Sequence, residues 1–139
     1  PVSISPDLMK VFYVKEVGVA AENKREIHTT DIDGKNERWV FKGGVPIVWN
    51  WNPNSEVFAY QSSNGSAVTV SQLTGSVGDL SGTKNTSWFT WVDSRQFLFI
   101  LDTATTQELY IGKWEGSENK LIGTLPKSEF YRMQVDFVR

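Results

Sequence analysis

Apolar runs recur along the chain at a nearly fixed step. Val11-Phe12-Tyr13-Val14, Val57-Phe58-Ala59-Tyr60 and Phe97-Leu98-Phe99-Ile100-Leu101 show little alternation with polar residues. That pattern predicts strands buried on both faces. Each run is followed by a more mixed, strand-like segment that ends at a glycine: 27–33 before Gly34, 68–74 before Gly75 and 109–115 before Gly116. The glycines are 41 residues apart at both steps. One more short strand is predicted after each, over 38–41, weakly over 76–80, and over 120–125. Trp51 and Trp91, 40 residues apart, precede the second and third apolar runs. Four short strands per period of about forty predict an array of antiparallel four-stranded meanders. The distance from Val11 to Gly34 is 23 residues, against 18 from Val57 to Gly75. The excess falls within 15–25, as expected of a variable surface loop.

The turns between these elements carry a family likeness. Ser5-Pro6-Asp7-Leu8-Met9-Lys10-Val11-Phe12-Tyr13 and Thr30-Asp31-Ile32-Asp33-Gly34 give its fullest form, and Trp51-Asn52-Pro53-Asn54 repeats it. The third repeat keeps Trp91 but has Val92-Asp93-Ser94 where the proline turn would stand. The order of tryptophan, Ser/Asn-Pro-Asp/Asn, apolar strand and strand ending in Asp-Gly resembles the WD40-like repeats (PD40) of TolB-type β-propellers. Such repeats also occur in the propeller domains of the prolyl oligopeptidase and dipeptidyl peptidase families. The resemblance covers almost the whole chain. It implies a propeller fold and, usually, an extracytoplasmic binding or scaffolding role; it does not imply a catalytic site.

The fold class expected is therefore all-β: a β-propeller segment of about three four-stranded antiparallel blades. A single domain, 1–139, would contain repeats at roughly 1–45, 46–86 and 87–127, with an extra C-terminal strand in 128–139. Propellers have about four to eight blades. Three blades imply either part of a longer propeller or a protomer that closes a ring with its own copy, six blades in a dimer. The apolar run 130–138 is expected to pair beside Val2-Ser3-Ile4 of a partner in such a ring. The end faces left open by three blades are expected to carry Val11, Tyr13, Phe97 and Phe99 or their neighbours on adjacent strands.

Composition narrows the function classes. The chain has 139 residues, enough for one core, and is 40% hydrophobic and 13% aromatic, which fits a folded domain. Its net charge of −2 is dispersed, which argues against nucleic acid as a partner. No apolar stretch approaches the roughly 20 residues of a membrane helix. The absence of cysteine excludes disulfides and thiolate chemistry, and favours a periplasmic or extracellular location. The first residues are not a signal peptide, although a processed chain would have lost one.

Few residues offer chemistry. Asp31, Asp33 and Asn36 resemble the start of a calcium loop, but Gln72-Leu73-Thr74 and Lys113-Trp114-Glu115 stand in its place in the sister repeats. A hairpin turn that needs glycine at positive φ survives those changes, and a metal loop does not. His28, the only histidine, aligns with Thr69 and Tyr110 as a strand residue. No serine sits in a Gly-x-Ser-x-Gly elbow. No enzyme, cofactor or metal is expected. Trp51, Trp91, Trp49 and Trp114 read as core, which leaves Trp39 and Trp88 as candidate exposed aromatics. The binding candidates are polar loops on the rim shared by the fourth-to-first and second-to-third strand connections: Lys42, Ser81, Lys84, Asn85, Asn64 and Asp102. The function expected is a non-enzymatic module for protein interaction or self-assembly. The alternatives are a carbohydrate-binding propeller and the substrate-gating propeller of a larger peptidase.

Overall fold

The computed structural model describes residues 2–17, 24–42, 48–61, 66–72, 77–116 and 118–127. The run 130–138 lies outside them. Twelve strands form three antiparallel sheets, each a meander of four in chain order. Blade 1 holds β1 (Val2–Ile4), β2 (Lys10–Val17), β3 (Lys24–Asp31) and β4 (Arg38–Lys42). Blade 2 holds β5 (Val48–Trp51), β6 (Val57–Gln61), β7 (Val68–Gln72) and β8 (Val77–Asp79). Blade 3 holds β9 (Thr86–Trp91), β10 (Gln96–Asp102), β11 (Thr106–Lys113) and β12 (Asn119–Pro126). No helix occurs among the described residues. The all-β expectation is met, with three four-stranded blades.

Register sets which residues are equivalent. Ile4 pairs with Val11, Trp51 with Phe58 and Trp91 with Phe97. Phe58, rather than Val57, is therefore the counterpart of Phe97, because the turn after Trp51 is one residue longer than the turn after Trp91. Tyr13, Tyr60 and Phe99 are likewise equivalent, and they pair with His28, Thr69 and Tyr110 as the sequence alignment has it. The longer first repeat appears as a longer hairpin. The β2–β3 ladder has eight paired positions, against five between β6 and β7.

Each first turn of a blade is fastened by one short polar side chain. Ser5 Oγ accepts the Lys10 N–H at 2.9 Å and donates to Asp7. Asn52 Oδ1 accepts the N–H groups of Glu56 and Val57, both at 3.0 Å. Asp93 Oδ1 accepts those of Arg95 and Gln96, both at 2.7 Å. Such side-chain-to-backbone bonds are why Ser, Asn and Asp stand at these turns. The turns also touch one another across blades: the Asp7 N–H donates to Ser55 Oγ at 3.0 Å, and Asn52 Nδ2 donates to the Ser94 carbonyl at 3.3 Å.

The repeating glycines do not all act alike. Gly34 and Gly116 both close turns with an N–H to the carbonyl three residues back, at 2.9 and 3.0 Å. Gly34 has φ +82°, a conformation that favours glycine. Gly116 does not lie in that region, and a Cβ there would meet Lys113 at an ordinary 3.5 Å. The sequence expectation of positive φ thus holds at Gly34 and fails at Gly116, while Gly75 lies outside the described residues.

The core lies in two seams between blades. In the first, Trp51, Phe58 and Tyr60 of blade 2 pack on Phe12 and Ile27 of blade 1, with Val14, Val40 and Trp49 at the margins. Phe12 and Phe58 stack with centroids 3.7 Å apart. In the second, Phe89, Trp91, Phe97 and Phe99 of blade 3 pack on Val57, Ala59, Val68 and Val70 of blade 2. Blades 2 and 3 therefore turn an aromatic face backward to the preceding blade, and blades 1 and 2 a mainly aliphatic face forward to the following one. β6 is buried at all five positions because alternate side chains serve different seams. Burial of one such phenylalanine contributes on the order of 2–3 kcal/mol. Phe97 and Phe99, expected on an open end face, are inside the second seam, at 1% and 0% exposure. Leu98 and Ile100 point the other way, and they too are buried. At the opposite end Val2 and Ile4 are 68% and 51% exposed.

Candidate functional site

The rim residues chosen from sequence fall into separate places. Ser81, Lys84 and Asn85 are exposed in the β8–β9 connection. Asn64 and the side chain of Lys42 lie outside the described residues. Asn85 and Asp102 are brought together, since the Asp102 N–H donates to the Asn85 carbonyl at 3.2 Å. The Asp102 carboxylate is already engaged. It accepts Gln107 Nε2 at 2.9 Å and Ser87 Oγ at 3.2 Å, and Lys127 Nζ lies 3.8 Å away. It ties the ends of β9, β10, β11 and β12 together, a structural task. Ser81 uses its carbonyl to accept Asn119 Nδ2 at 2.7 Å. Trp88 is half-buried on blade 3, while Trp39 is 59% exposed on blade 1. The two do not share a surface.

The Asp-rich turn is internally satisfied. Asp31 pairs with Lys10 and accepts Asn36 Nδ2 at 2.5 Å, and Asp33 accepts the Lys35 N–H at 3.0 Å. Lys10 and then Asn36 hold the Asp31 carboxyl below its ordinary range.

Two features were not anticipated. The first is a polar cluster on the backward face of blade 1. His28 Nε2 lies 3.1 Å from Glu26 Oε2. Its Nδ1 lies 3.0 Å from Glu37 Oε1 but makes no hydrogen bond there. Glu37 also receives the Tyr13 hydroxyl in a short hydrogen bond and Lys15 Nζ at 3.3 Å. The Tyr13 hydroxyl, then Lys15, hold the Glu37 carboxyl below its usual range. Burial, then Glu37, push the Tyr13 phenol up to about 12. The same step of two along a strand joins Glu108 to Tyr110, at 2.8 Å, in blade 3. That i, i+2 spacing of acid and ring at equivalent positions was the available signal.

The second feature is a cleft of about 200 Å3 between blades 1 and 2, lined among others by Lys10, Thr29, Arg38, Trp51, Ser71 and Gln72. Trp51 is 5% exposed, yet its Nε1 has no hydrogen-bond partner. The equivalent Trp91 Nε1 donates to the Asn50 carbonyl of the preceding blade at 3.2 Å. The two seams are thus unlike: one closes on its indole donor and the other opens beside it. Trp39 borders this cleft through its strand, but pairs opposite His28 and so belongs to the backward face of blade 1.

No protein-family model matches the chain, and no curated protein matches it. Solved structures do. The β-propeller domain of the Trilobed protease from Pyrococcus furiosus superposes with a TM-score of 0.63 at 19% identity, covering 88% of this chain and 41% of that one. A putative TolB from Agrobacterium tumefaciens gives 0.64 at 17% identity, covering 91% and 50%. Acylaminoacyl peptidase from Pyrococcus horikoshii gives 0.61 at 20% identity, covering 87% and 24%. The fold is therefore that of a β-propeller segment, of the kind found in TolB and in peptidase propeller domains. The chain spans half or less of the length of each of these structures.

Proposed function

We propose that the chain is a non-enzymatic propeller module that associates with protein through the backward face of blade 1, and that its partner is a second copy. The observation behind this reading is the contrast between equivalent positions. Trp49, Trp51, Phe58 and Tyr60 in blade 2 meet a preceding blade, as do Phe89, Trp91, Phe97 and Phe99 in blade 3. Their counterparts in blade 1 are Val2, Ile4, Val11 and Tyr13, and of these Val2 and Ile4 remain mostly exposed. Trp39 extends the same surface. Exposed apolar side chains gathered at the end of a repeat array favour a covering partner. Two copies joined head to tail supply six blades, within the usual range of about four to eight. The absence of cysteine supports an extracytoplasmic setting.

Sedimentation analysis tests the reading. The chain should sediment as a species heavier than its 15.7 kDa. Ile4→Lys should return it to a monomer with an unchanged β-type circular dichroism spectrum. A native chain that stays monomeric at high micromolar concentration would sink self-association.

A further inference from the structure

His28 is the only histidine of the chain, and so the one side chain whose ordinary titration falls between about pH 5 and 8. It is 7% exposed and lies in a row of Val2, Tyr13, His28 and Trp39 that crosses all four strands of blade 1 in register. The Tyr13 ring stacks on it with centroids 5.7 Å apart. The described charged and titratable groups around it come from two strands and a connection. β2 brings Tyr13 and Lys15, β3 brings Glu26, and the β3–β4 connection brings Glu37. β1 and β4 add Val2 and Trp39 to the row, and Lys42 of β4 stands opposite Glu26 in register. Both ring nitrogens face a carboxylate oxygen: Nε2 is 3.1 Å from Glu26 Oε2, and Nδ1 is 3.0 Å from Glu37 Oε1. A neutral imidazole has one N–H for two nitrogens. When Nε2 carries it to Glu26, the lone pair of Nδ1 meets Glu37. When Nδ1 carries it, the lone pair of Nε2 meets Glu26. Only the imidazolium presents an N–H to each side. A strand histidine held in place by one hydrogen bond would need one carboxylate, not two. Thr69 and Tyr110 stand at the equivalent positions of the other blades, and neither titrates in that range.

We infer that His28 makes self-association proton-dependent: proton uptake there fastens Glu26 and Glu37 to the backward face of blade 1 and tightens its contact with the second copy. The inference rests on the reading of that face as the docking surface. The Glu37 side chain is 41% exposed in the single chain, so water screens it from Nδ1. A second copy laid over the face excludes that water. The repulsion in the neutral form and the attraction in the charged form then both grow, and the complex holds the proton more tightly than the free chain. Linkage fixes the sign: the state that holds the proton more tightly gains as pH falls. The added affinity is complete at the acid end of the histidine range and is lost as pH rises through it.

Sedimentation of the full chain at about pH 5.5 and about pH 8, at one ionic strength, tests the inference. The association constant should be about tenfold larger at the lower pH, the order of change that uptake of one proton can produce across this range. Two variants separate His28 from every other titrating group. His28→Gln keeps an N–H for Glu26 but takes up no proton, and its association should show no step with pH. Glu37→Gln, at an exposed position, leaves His28 in place and removes the carboxylate that faces Nδ1. Its step should be smaller than that of the native chain. If His28→Gln does not fold, Glu37→Gln carries the comparison. A native chain that associates equally at both pH values overturns the inference and leaves self-association standing. A step of native size in Glu37→Gln, or any step in folded His28→Gln, also overturns it. A native chain that is monomeric at both pH values removes the docking surface itself, and the proton dependence with it.

Discussion

Single side chains divide the two seams. Trp91 and Trp51 occupy equivalent positions and are similarly buried, but only Trp91 has its N–H bonded. Trp91→Phe should therefore cost about 1 kcal/mol more than Trp51→Phe in a denaturant titration, the net value of one buried hydrogen bond. Equal losses would mean that the Asn50 contact contributes nothing. Gly112 is a sharper case. A Cβ there would lie 2.6 Å from Phe97 Cζ and 2.3 Å from Asn119 Oδ1. Gly112→Ala should lower stability by about 1–3 kcal/mol through overpacking of the second seam; thermal unfolding of the variant checks it. The interior role of Trp51 and Trp91 was legible in the sequence because they recur at one step of the repeat. The missing partner of Trp51 was not, since it depends on how far two blades separate.

At the scale of elements, the turns make stability depend on acid. Asp7, through Ser5 Oγ and the Met9 N–H, and Asp93, through the N–H groups of Arg95 and Gln96, sit below their ordinary value of 3.8, as does Asp31. The folded state then binds fewer protons than the unfolded chain. Their contribution is complete above about pH 4 and is lost as pH falls through the folded values. Tyr13 and Tyr60 work at the other end, mainly through burial. Each is pushed from 10.0 up to about 12, so the folded state keeps protons that the unfolded chain releases. That contribution is complete below pH 10 and falls away between 10 and 12. Melting temperature against pH should show a plateau with losses on both flanks. A flat acid limb would show that the turn carboxylates are not coupled to folding. The turns themselves were legible from Ser5-Pro6-Asp7 and Asn52-Pro53. The one-residue difference in turn length that makes Phe58 the partner of Phe97 was not, because it appears only in strand register. The cluster of Tyr13, Glu37 and His28 likewise draws on two strands, β2 and β3, and on the connection that leads to β4.

For the molecule as a whole, the unequal burial of the blades predicts unequal persistence. β6 and the central part of β10 are buried throughout, whereas two of the three residues of β1 are exposed. Amide exchange should be slowest in β6 and β10 and fastest in β1, since local opening follows buried contact. Association through the backward face of blade 1 should then slow β1 selectively, and exchange measured at low and high protein concentration separates the two cases. The three-blade architecture was legible from the period of the glycines, although those glycines turned out not to share one conformation. The location of the exposed face was legible only in part: Val11 and Tyr13 lie on the backward face of blade 1, while the phenylalanines assigned to the far end belong to the interior.

The arrangement of faces has a consequence for how copies join. A backward face that differs from the forward one gives the array polarity, as a filament has two distinct ends. A head-to-tail ring pairs each backward face with a forward one. A chain carrying Ile4→Lys would keep its forward end intact, so in a mixture it should act as a cap: it would occupy one end of a native chain while accepting nothing itself. Loss of assembly would then be dominant, and mixing small fractions of the variant into native protein should deplete complete rings by more than its own share.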